Sequence, residues 1–223
     1  MPPLPTGEAE ILPALEDGAR PVLLDLGSGP GERRIACRYH PAPEARTAVL
    51  MVGGVGGGWD SPAASLYPHL CQTLPREGTA ALRVRFRHPG HLEESVVDVL
   101  AGLTFLQEEG ATRLGLVGHS FGGAVALQAA ALEEEARAVV TLATQSYGAG
   151  PVGTLAPRCA ALFVHGTADT VLPYRCSVDL HDRAGEPRRL VLHEGAGHGL
   201  DEAAEAVRTE VEAWFRRHLQ APV

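Results

Sequence analysis

The serine at position 120 stands in a pattern that activates a nucleophile. The hexapeptide GHSFGG (residues 118–123) follows the apolar run LGLV and precedes the apolar helical pattern AVALQAAAL. Glycines two residues before and two residues after a serine leave room for a sharp strand-to-helix turn that exposes its hydroxyl. The helix N-terminus places a partial positive charge where an oxyanion would form. We therefore predict that Ser120 is a nucleophile for acyl transfer, with the N–H of Phe121 as one oxyanion donor.

A histidine and an acid suited to this serine follow it along the chain. A serine hydroxyl is a weak nucleophile until a general base removes its proton, and the base needs an acid that orients it. HGTADTVLP (residues 165–173) follows the apolar run AALFV, and GAGHGL (residues 195–200) follows RLVLH. Each motif would put one titratable group in a turn at the carboxyl end of a parallel strand, on the same edge as Ser120. Asp169 and His198 are the predicted acid and base.

The remaining histidines are weaker candidates for the general base. His119 is expected to point away from Ser120 and to be structural or to line the pocket. Two others lie in or at the end of strands, where a hydrogen-bonded core histidine is the default, and two flank a turn. These four are His165, His193, His88 and His91.

The stretch MVGGVGGGWD (residues 51–60) places five glycines in six positions directly after an apolar run. Such a loop can cradle phosphate, but a Walker loop requires a lysine and the chain has none. A dinucleotide loop requires GxGxxG leading into a helix, and the spacing here is different. The remaining function for such a loop is to supply backbone N–H groups to an oxyanion hole, which requires a nucleophile elsewhere in the chain.

The composition argues against nucleic acid and membranes as partners. The 223 residues include 19 arginines and 27 acidic residues, giving a net charge of -8. An acidic chain lacks the basic surface that binds nucleic acid or an anionic membrane. There is no apolar run near the roughly 18 residues of a membrane span, and the N-terminus has no secretory pattern. We expect a cytoplasmic protein.

The histidines and cysteines show no metal-binding spacing. HExxH is absent, no His/Cys pair has zinc-finger spacing, and the acidic run 133–135 has no partner set. The four cysteines are widely spaced without a CxxC pair, which favours reduced thiols. We therefore expect neither a metal nor a cofactor.

The pattern of short β-type runs and helical segments favours βαβ units with a mainly parallel sheet in one domain. The predicted strands are 47–52, 80–86, 114–117, 138–143, 160–164 and 189–193, and the predicted helices are 62–74, 92–108, 121–135, 178–184 and 200–219. Two further strands, 21–26 and 33–40, are joined by a glycine-rich turn at 27–31 and predict an antiparallel edge. Residues 1–20 are expected to be irregular or peripheral.

With the three motifs in this order, the chain resembles the α/β-hydrolase superfamily, in particular its small, lid-poor, dienelactone-hydrolase-like members. The resemblance covers about residues 30–219 and implies a mostly parallel sheet of about eight strands, with helices on both faces and no substantial cap. It implies that Ser120 is the nucleophile, His198 the general base and then acid, and Asp169 the orienting acid. It also implies that the turn after the third strand supplies a second oxyanion donor, the N–H of Val55, with Gly54 as the alternative.

Two departures from the family pattern bear on the chemistry. Many members carry His-Gly at the end of the third strand, and here that position is Gly53-Gly54. Dienelactone hydrolases usually have cysteine at the elbow, and here the residue is Ser120. The serine shifts the expectation from specialised lactone chemistry to ordinary carboxylester hydrolysis.

The segment that often carries a lid is short. Only about fifteen residues separate Thr144 from Ala160, too few for a helical cap. An uncapped, shallow cleft favours short-chain or small aryl esters. The residues expected to line it follow motif turns on the catalytic edge, and they are Trp59, Tyr147, Leu172 and Tyr174.

Two other functions stay open at this stage. The same three residues would serve thioester, lactone or peptide hydrolysis, because the pocket and not the triad decides the substrate. A non-catalytic scaffold with this fold is the alternative from another class, although such scaffolds typically lose a triad member. The oligomeric state is also open, with a homodimer as one option.

Overall fold

A computed structural model of the protein describes residues 9–27 and 32–219. The strands of the described residues are β1 (Ala9–Ile11), β2 (Arg20–Asp25), β3 (Arg34–His40), β4 (Thr47–Val52), β5 (Thr79–Val84), β6 (Arg113–His119), β7 (Ala136–Leu142), β8 (Ala160–Gly166) and β9 (Arg188–His193). They form one sheet in the order β1-β2-β3-β5-β4-β6-β7-β8-β9. The strands from β4 onward run parallel to one another, and β1, β2 and β3 add an antiparallel edge next to β5.

Helices cover both faces of this sheet. The α-helices are α1 (Pro62–Thr73), α2 (Leu92–Glu108), α3 (Phe121–Leu132), α4 (Arg175–Arg183) and α5 (Ala204–Leu219), and short 3-10 helices span Leu74–Glu77, Gly150–Thr154 and Asp201–Ala203. Helices α1 and α5 pack on one face, and α2, α3 and α4 contribute to the core on the other. Because both faces are covered, β4 and β8 are almost entirely buried and have continuous apolar sequences.

The parallel strands bring several loops to one edge of the sheet, which we call the carboxyl edge. The loops after β4, β6, β8 and β9 all begin at this edge. They carry the glycine-rich stretch, Ser120, Asp169 and His198 respectively. The fold therefore gathers the residues singled out by the sequence motifs on one side of the molecule.

The predicted fold class is confirmed: a mostly parallel sheet with helices on both faces and no large cap domain. The sheet has nine strands across the described residues, against about eight expected. The additional strand is β1, a three-residue strand at the outer edge, in the segment expected to be irregular or peripheral. The predicted antiparallel edge is present, whereas most of the predicted turn at 27–31 lies outside the described residues.

Element boundaries differ most at helix ends. Helix α3 was predicted to reach residue 135 and ends at Leu132, because Glu133 takes an extended backbone conformation. Helix α4 begins three residues earlier than predicted, at Arg175. Leu200 was the predicted start of the last helix, but its φ of 59° is left-handed, and α5 begins at Ala204 after a 3-10 turn. Within the described ranges, none of the helices combines the length and apolar character needed to cross a membrane.

Candidate active site

Ser120 occupies the turn between β6 and α3 with an unusual backbone conformation. Its φ is 55° and its ψ is -120°, and only 7% of the residue is exposed. A non-glycine residue in such a sparsely populated region costs about 1–3 kcal/mol unless its surroundings impose it. The Ser120 N–H donates to the Leu142 carbonyl at 2.8 Å, and the Thr144 hydroxyl donates to the Ser120 carbonyl at 3.2 Å. The end of β7 thus holds the strained residue in place.

The glycines on either side of Ser120 are required by close backbone contacts. A Cβ at Gly118 would collide with the carbonyl of Gly122, and a Cβ at Gly122 would collide with the carbonyl of Gly53. The elbow can therefore form only if both positions lack a side chain. The second contact also brings the end of β4 against the start of α3.

Asp169 and His198 are hydrogen-bonded to each other. His198 Nδ1 lies 2.7 Å from Asp169 Oδ2, with the Asp169 side chain fully buried and the His198 side chain 20% exposed. Asp169 Oδ1 accepts hydrogen bonds from the N–H groups of Val171 and Leu172, each at 2.8 Å. The carboxylate is thus fixed on one oxygen by the loop and on the other by the histidine.

The surroundings of Asp169 favour its ionised form. Burial alone would raise the pKa of this carboxyl group, but the hydrogen bonds from His198, Leu172 and Val171 outweigh it, and the pKa lies below the ordinary value for aspartate. An ionised carboxylate on Nδ1 holds the His198 ring in the tautomer whose Nε2 is free to accept a proton.

A second histidine contacts the same carboxylate oxygen. His165, the sixth residue of β8, is fully buried, and its Nε2 lies 3.0 Å from Asp169 Oδ2 and 3.0 Å from the Leu172 carbonyl. Its Nδ1 lies 2.7 Å from the hydroxyl of Ser177 on α4. The sequence predicted a hydrogen-bonded core histidine at 165, which is found, but not its contact with Asp169.

His119 lies beside the predicted base. Its ring centroid is 4.8 Å from that of His198, and its Nε2 lies 3.0 Å from the His198 carbonyl, to which it donates. Burial lowers the pKa of His119 below the ordinary histidine value, which favours the neutral ring. The neighbour of the nucleophile thus supports the backbone of the loop that carries His198.

The structure joins Asp169 to His198 by a hydrogen bond but does not join His198 to Ser120 in this way. Among the residues that the structure describes, the Ser120 hydroxyl makes no hydrogen bond to His198. Hydrogen bonds between a nucleophile and its base are often long without substrate and tighten when substrate binds. Both residues nevertheless lie on the carboxyl edge, and His119 contacts the loop of His198.

The glycine-rich loop lies against the nucleophile through Gly54. A Cβ placed on Gly54 would lie 3.5 Å from Ser120 Cβ and 3.5 Å from His119 Nδ1. A hydrogen bond of 3.2 Å from the Gly57 N–H to the Gly54 carbonyl closes a turn around Val55 and Gly56. Within the described ranges, the N–H groups of Val55 and Phe121 donate to no protein acceptor. Neither N–H is therefore taken up by a hydrogen bond within the described part of the protein.

The four predicted pocket residues occupy different surroundings. The Trp59 ring packs against the guanidinium of Arg38, 4.4 Å from its centroid, and its carbonyl accepts a 2.5 Å hydrogen bond from Arg83. Trp59 thus anchors the end of the loop to β3 and β5. Tyr147 is 80% exposed, whereas Leu172 uses its backbone N–H and carbonyl to hold Asp169 and His165. Tyr174 is partly buried and precedes α4.

The remaining histidines considered from the sequence, and the cysteines, make no hydrogen bond to Ser120, Asp169 or His198 among the described residues, although the turn between His88 and His91 packs against the glycine-rich loop. His88 Nε2 lies 3.3 Å from a carboxylate oxygen of Glu94, and His91 precedes the first residue of α2. His193, at the end of β9, has a buried Nε2 without a hydrogen-bond partner in the described chain. The four cysteines are unpaired, and no three or more His, Cys, Asp or Glu side chains among the described residues group as a metal site.

The comparison with protein families matches most of the chain. A family model described as the alpha/beta hydrolase fold matches residues 6–160. The matched range includes Ser120 and the glycine-rich loop and ends before Asp169 and His198. No curated protein matches the chain.

Solved structures share the fold at low sequence identity. Est1E from Butyrivibrio proteoclasticus is 18% identical with a TM-score of 0.70, and the alignment covers 95% of this chain and 98% of that one. A dienelactone hydrolase from Anabaena variabilis is 21% identical with a TM-score of 0.72, over 90% and 99% of the two chains. The esterase domain of a Rhodothermus marinus protein is 19% identical with a TM-score of 0.69, over 96% and 99%.

Proposed function

Since this chain belongs to the α/β-hydrolase fold family, we propose that it is a serine hydrolase that cleaves carboxylic esters through an acyl-enzyme on Ser120. The observation that supports this most directly is the buried Asp169 carboxylate, bonded at 2.7 Å to His198 Nδ1 on the edge that carries the strained Ser120. Neighbours named as esterases and a dienelactone hydrolase favour ester or related hydrolysis.

The proposed reaction has two acyl-transfer steps. His198 Nε2 takes the proton of the Ser120 hydroxyl as its oxygen attacks the ester carbonyl, and the imidazolium is stabilised by Asp169. The N–H groups of Phe121 and of Val55, or alternatively Gly54, hold the oxyanion. His198 then gives its proton to the leaving alcohol, and a water molecule activated by the same histidine releases the acid.

The uncapped carboxyl edge favours small substrates with an apolar part. Three large apolar side chains on the loops of the carboxyl edge are strongly exposed: Val55 by 60%, Tyr147 by 80% and Val171 by 65%. An apolar acyl or aryl group could cover part of this surface, which gains roughly 25 cal/mol per Å². An uncapped surface offers little to a long chain, so short-chain or small aryl esters fit best.

The same residues would also hydrolyse thioesters, lactones or peptides, and the fold neighbours include a dienelactone hydrolase. The cytoplasmic location is part of the proposal and is supported by the four unpaired thiols. The proposed partner is the small ester itself, without nucleic acid or membrane.

The test is a substrate panel on the purified full chain. We expect hydrolysis of p-nitrophenyl esters, fastest for acetate and butyrate and weak for decanoate, and loss of activity in Ser120→Ala. A fluorophosphonate probe should label the wild type and not Ser120→Ala, with matching circular dichroism spectra to show that the fold is retained. Absence of both hydrolysis and labelling would contradict the proposal and favour a non-catalytic scaffold.

Thioester, lactone and amide substrates belong in the same screen. Labelling by the probe without ester hydrolysis, together with turnover of one of these classes, would keep Ser120 as the nucleophile and replace the substrate class.

A further inference from the structure

We propose that His165 is a positioning residue that, together with Ser177, fixes Asp169 and sets how strongly His198 holds its proton. This rests on the proposed function, in which Asp169 and His198 are the acid and base. His165 does not touch the reacting atoms and would act only through Asp169.

The hydrogen bonds of His165 require a hydrogen on its Nε2. The Leu172 carbonyl can only accept, so Nε2, 3.0 Å away, must carry a hydrogen, and it shares that hydrogen with Asp169 Oδ2. In the neutral ring Nδ1 is then an acceptor, and the Ser177 hydroxyl at 2.7 Å is its donor. All three contacts are satisfied at once by a neutral His165 protonated on Nε2.

Burial supports that neutral state. His165 and Ser177 are both fully enclosed, and burial lowers the pKa of His165 despite the nearby Asp169. A charged His165 would compete with His198 for the carboxylate as a second imidazolium. A neutral ring contributes only an N–H dipole, which orients Asp169 and leaves its charge to His198.

His165 contacts the same oxygen of Asp169 that binds the proposed base, His198. Asp169 Oδ2 receives both His165 Nε2 and His198 Nδ1, whereas Oδ1 is held by backbone N–H groups. Loss of the His165 donor would concentrate negative charge on Oδ2 and favour the imidazolium form of His198. The expected sign is therefore an increase in the pKa of His198 and a shift of the acidic limb of kcat/KM to higher pH.

Other polar groups face the Asp169–His198 pair from neighbouring elements. His119 from β6 lies 4.8 Å from the His198 ring, and Asp60 from the loop after β4 acts electrostatically on His119. Glu202 from the last 3-10 helix accepts the Gly197 N–H at 3.1 Å. Direct contacts of His165 with titratable groups are confined, within the described chain, to Asp169. His198 also acts electrostatically on His165, but a neutral His165 carries no net charge, so its hydrogen bond to that carboxylate is the contact through which it reaches His198.

The experiment compares His165→Leu with His165→Gln in the full chain. Leucine removes the donor, whereas glutamine can keep an N–H near Asp169. The pKa of the His198 ring is measured by NMR, with its signal assigned by its absence in His198→Gln. We expect His165→Leu to raise that pKa by roughly 0.5–1 unit, as loss of one hydrogen bond to the carboxylate implies, and His165→Gln to restore most of the wild-type value.

Two further variants separate this role from packing. His40 is also buried and lies on β3, with four strands between it and β8 in the sheet, so His40→Leu should leave the His198 pKa unchanged. Ser177→Ala keeps the His165 ring and should also raise the pKa of His198, by a smaller amount. This variant takes the place of His165→Leu as the test if His165→Leu does not fold. A His198 pKa that stays at the wild-type value in His165→Leu, or in Ser177→Ala if the former misfolds, would overturn the inference.

The NMR titration does not require catalysis. If Ser120→Ala retained full ester hydrolysis, the proposed function would fail while the titration could still reveal the coupling of His165 to His198. If hydrolysis depended on Ser120 and the titration showed no shift, only the role of His165 would fail.

Discussion

The two sides of the candidate site are held very differently. The Asp169 carboxylate receives four hydrogen bonds and is fully enclosed. The loop at residues 53–58 has a single internal backbone hydrogen bond, and the side chain of Val55 is 60% exposed. An acid must keep its charge and orientation whether or not substrate is present, whereas oxyanion donors must stay open to an incoming oxygen. The rigidity of one side and the openness of the other suit these two tasks.

The largest expected effect is a loss of catalytic rate when Asp169, on the side of the site that is held by four hydrogen bonds, is changed. Asp169→Asn keeps the shape but gives an amide that no longer holds the His198 tautomer, so kcat on p-nitrophenyl acetate should fall by about 10³–10⁴-fold. Asp179→Asn is the matched control, because Asp179 is an exposed carboxylate that pairs with Arg183 on α4. A loss of less than tenfold in Asp169→Asn would mean that this side does not carry the acid.

The second prediction concerns the open side. Val55→Pro removes one N–H, and proline is favoured at the second position of a turn such as that of residues 54–57. If Val55 is the oxyanion donor, kcat should fall by about 10²–10³-fold while KM changes little. Val55→Ala keeps the N–H and should retain activity. Full kcat in Val55→Pro would transfer the donor role to Gly54.

The third prediction concerns how the buried histidines make the stability of the protein depend on pH. Burial lowers the pKa of His119 and His165, as it does for His40. Below the unfolded histidine pKa of about 6.5 the unfolded chain binds protons that the folded chain does not, so stability should fall as the pH decreases from 7 to 5. Urea midpoints at the two pH values measure this, and His165→Gln should reduce the difference. A midpoint that rises on acidification would contradict it.

The smallest effect is expected at the tip of the open loop. A side chain at Gly56 would meet nothing within 4 Å, and its φ is not left-handed, so Gly56→Ala should change the free energy of unfolding by less than about 0.5 kcal/mol. Gly57 has a φ of 69° and a Cβ there would press on Pro89, so Gly57→Ala should cost about 1–2 kcal/mol. Equal effects of the two substitutions on thermal denaturation would mean that the loop is not open at Gly56.

The bounds of a strand or helix could be predicted from the sequence where its hydrophobic pattern is long and nearby residues mark both of its ends. Strand β4 and helix α2 have the predicted bounds, because an apolar run and a helical period each end at clear polar or glycine positions. Strand β1 was missed because three residues carry no periodicity, and its pairing with β2 is a tertiary contact. The end of α3 was placed too late because glutamates favour helix, whereas the backbone of Glu133 turns into β7.

The candidate site was predictable in its residues but not in its contacts. The motifs indicated Asp169 and His198, and the structure joins them. The role of His165 was not found, because a histidine at the end of a strand has the same pattern whether it fills the core or reaches a carboxylate across a turn. The only sequence signal is its position four residues before Asp169, and side-chain direction across a turn cannot be derived from spacing.

Contacts with the rest of the protein hold the glycine-rich loop in place at both of its ends. The Gly53 carbonyl lies against Gly122, and the Trp59 carbonyl is held by Arg83. Residues 55–58 are thus a short, anchored segment whose side chains face little of the core. For protein engineering, the side chains at positions 55 and 56 could be randomised to change substrate preference while the elbow and the acid–base pair keep their structure, whereas Gly57 and Gly58 have the left-handed φ that glycine favours.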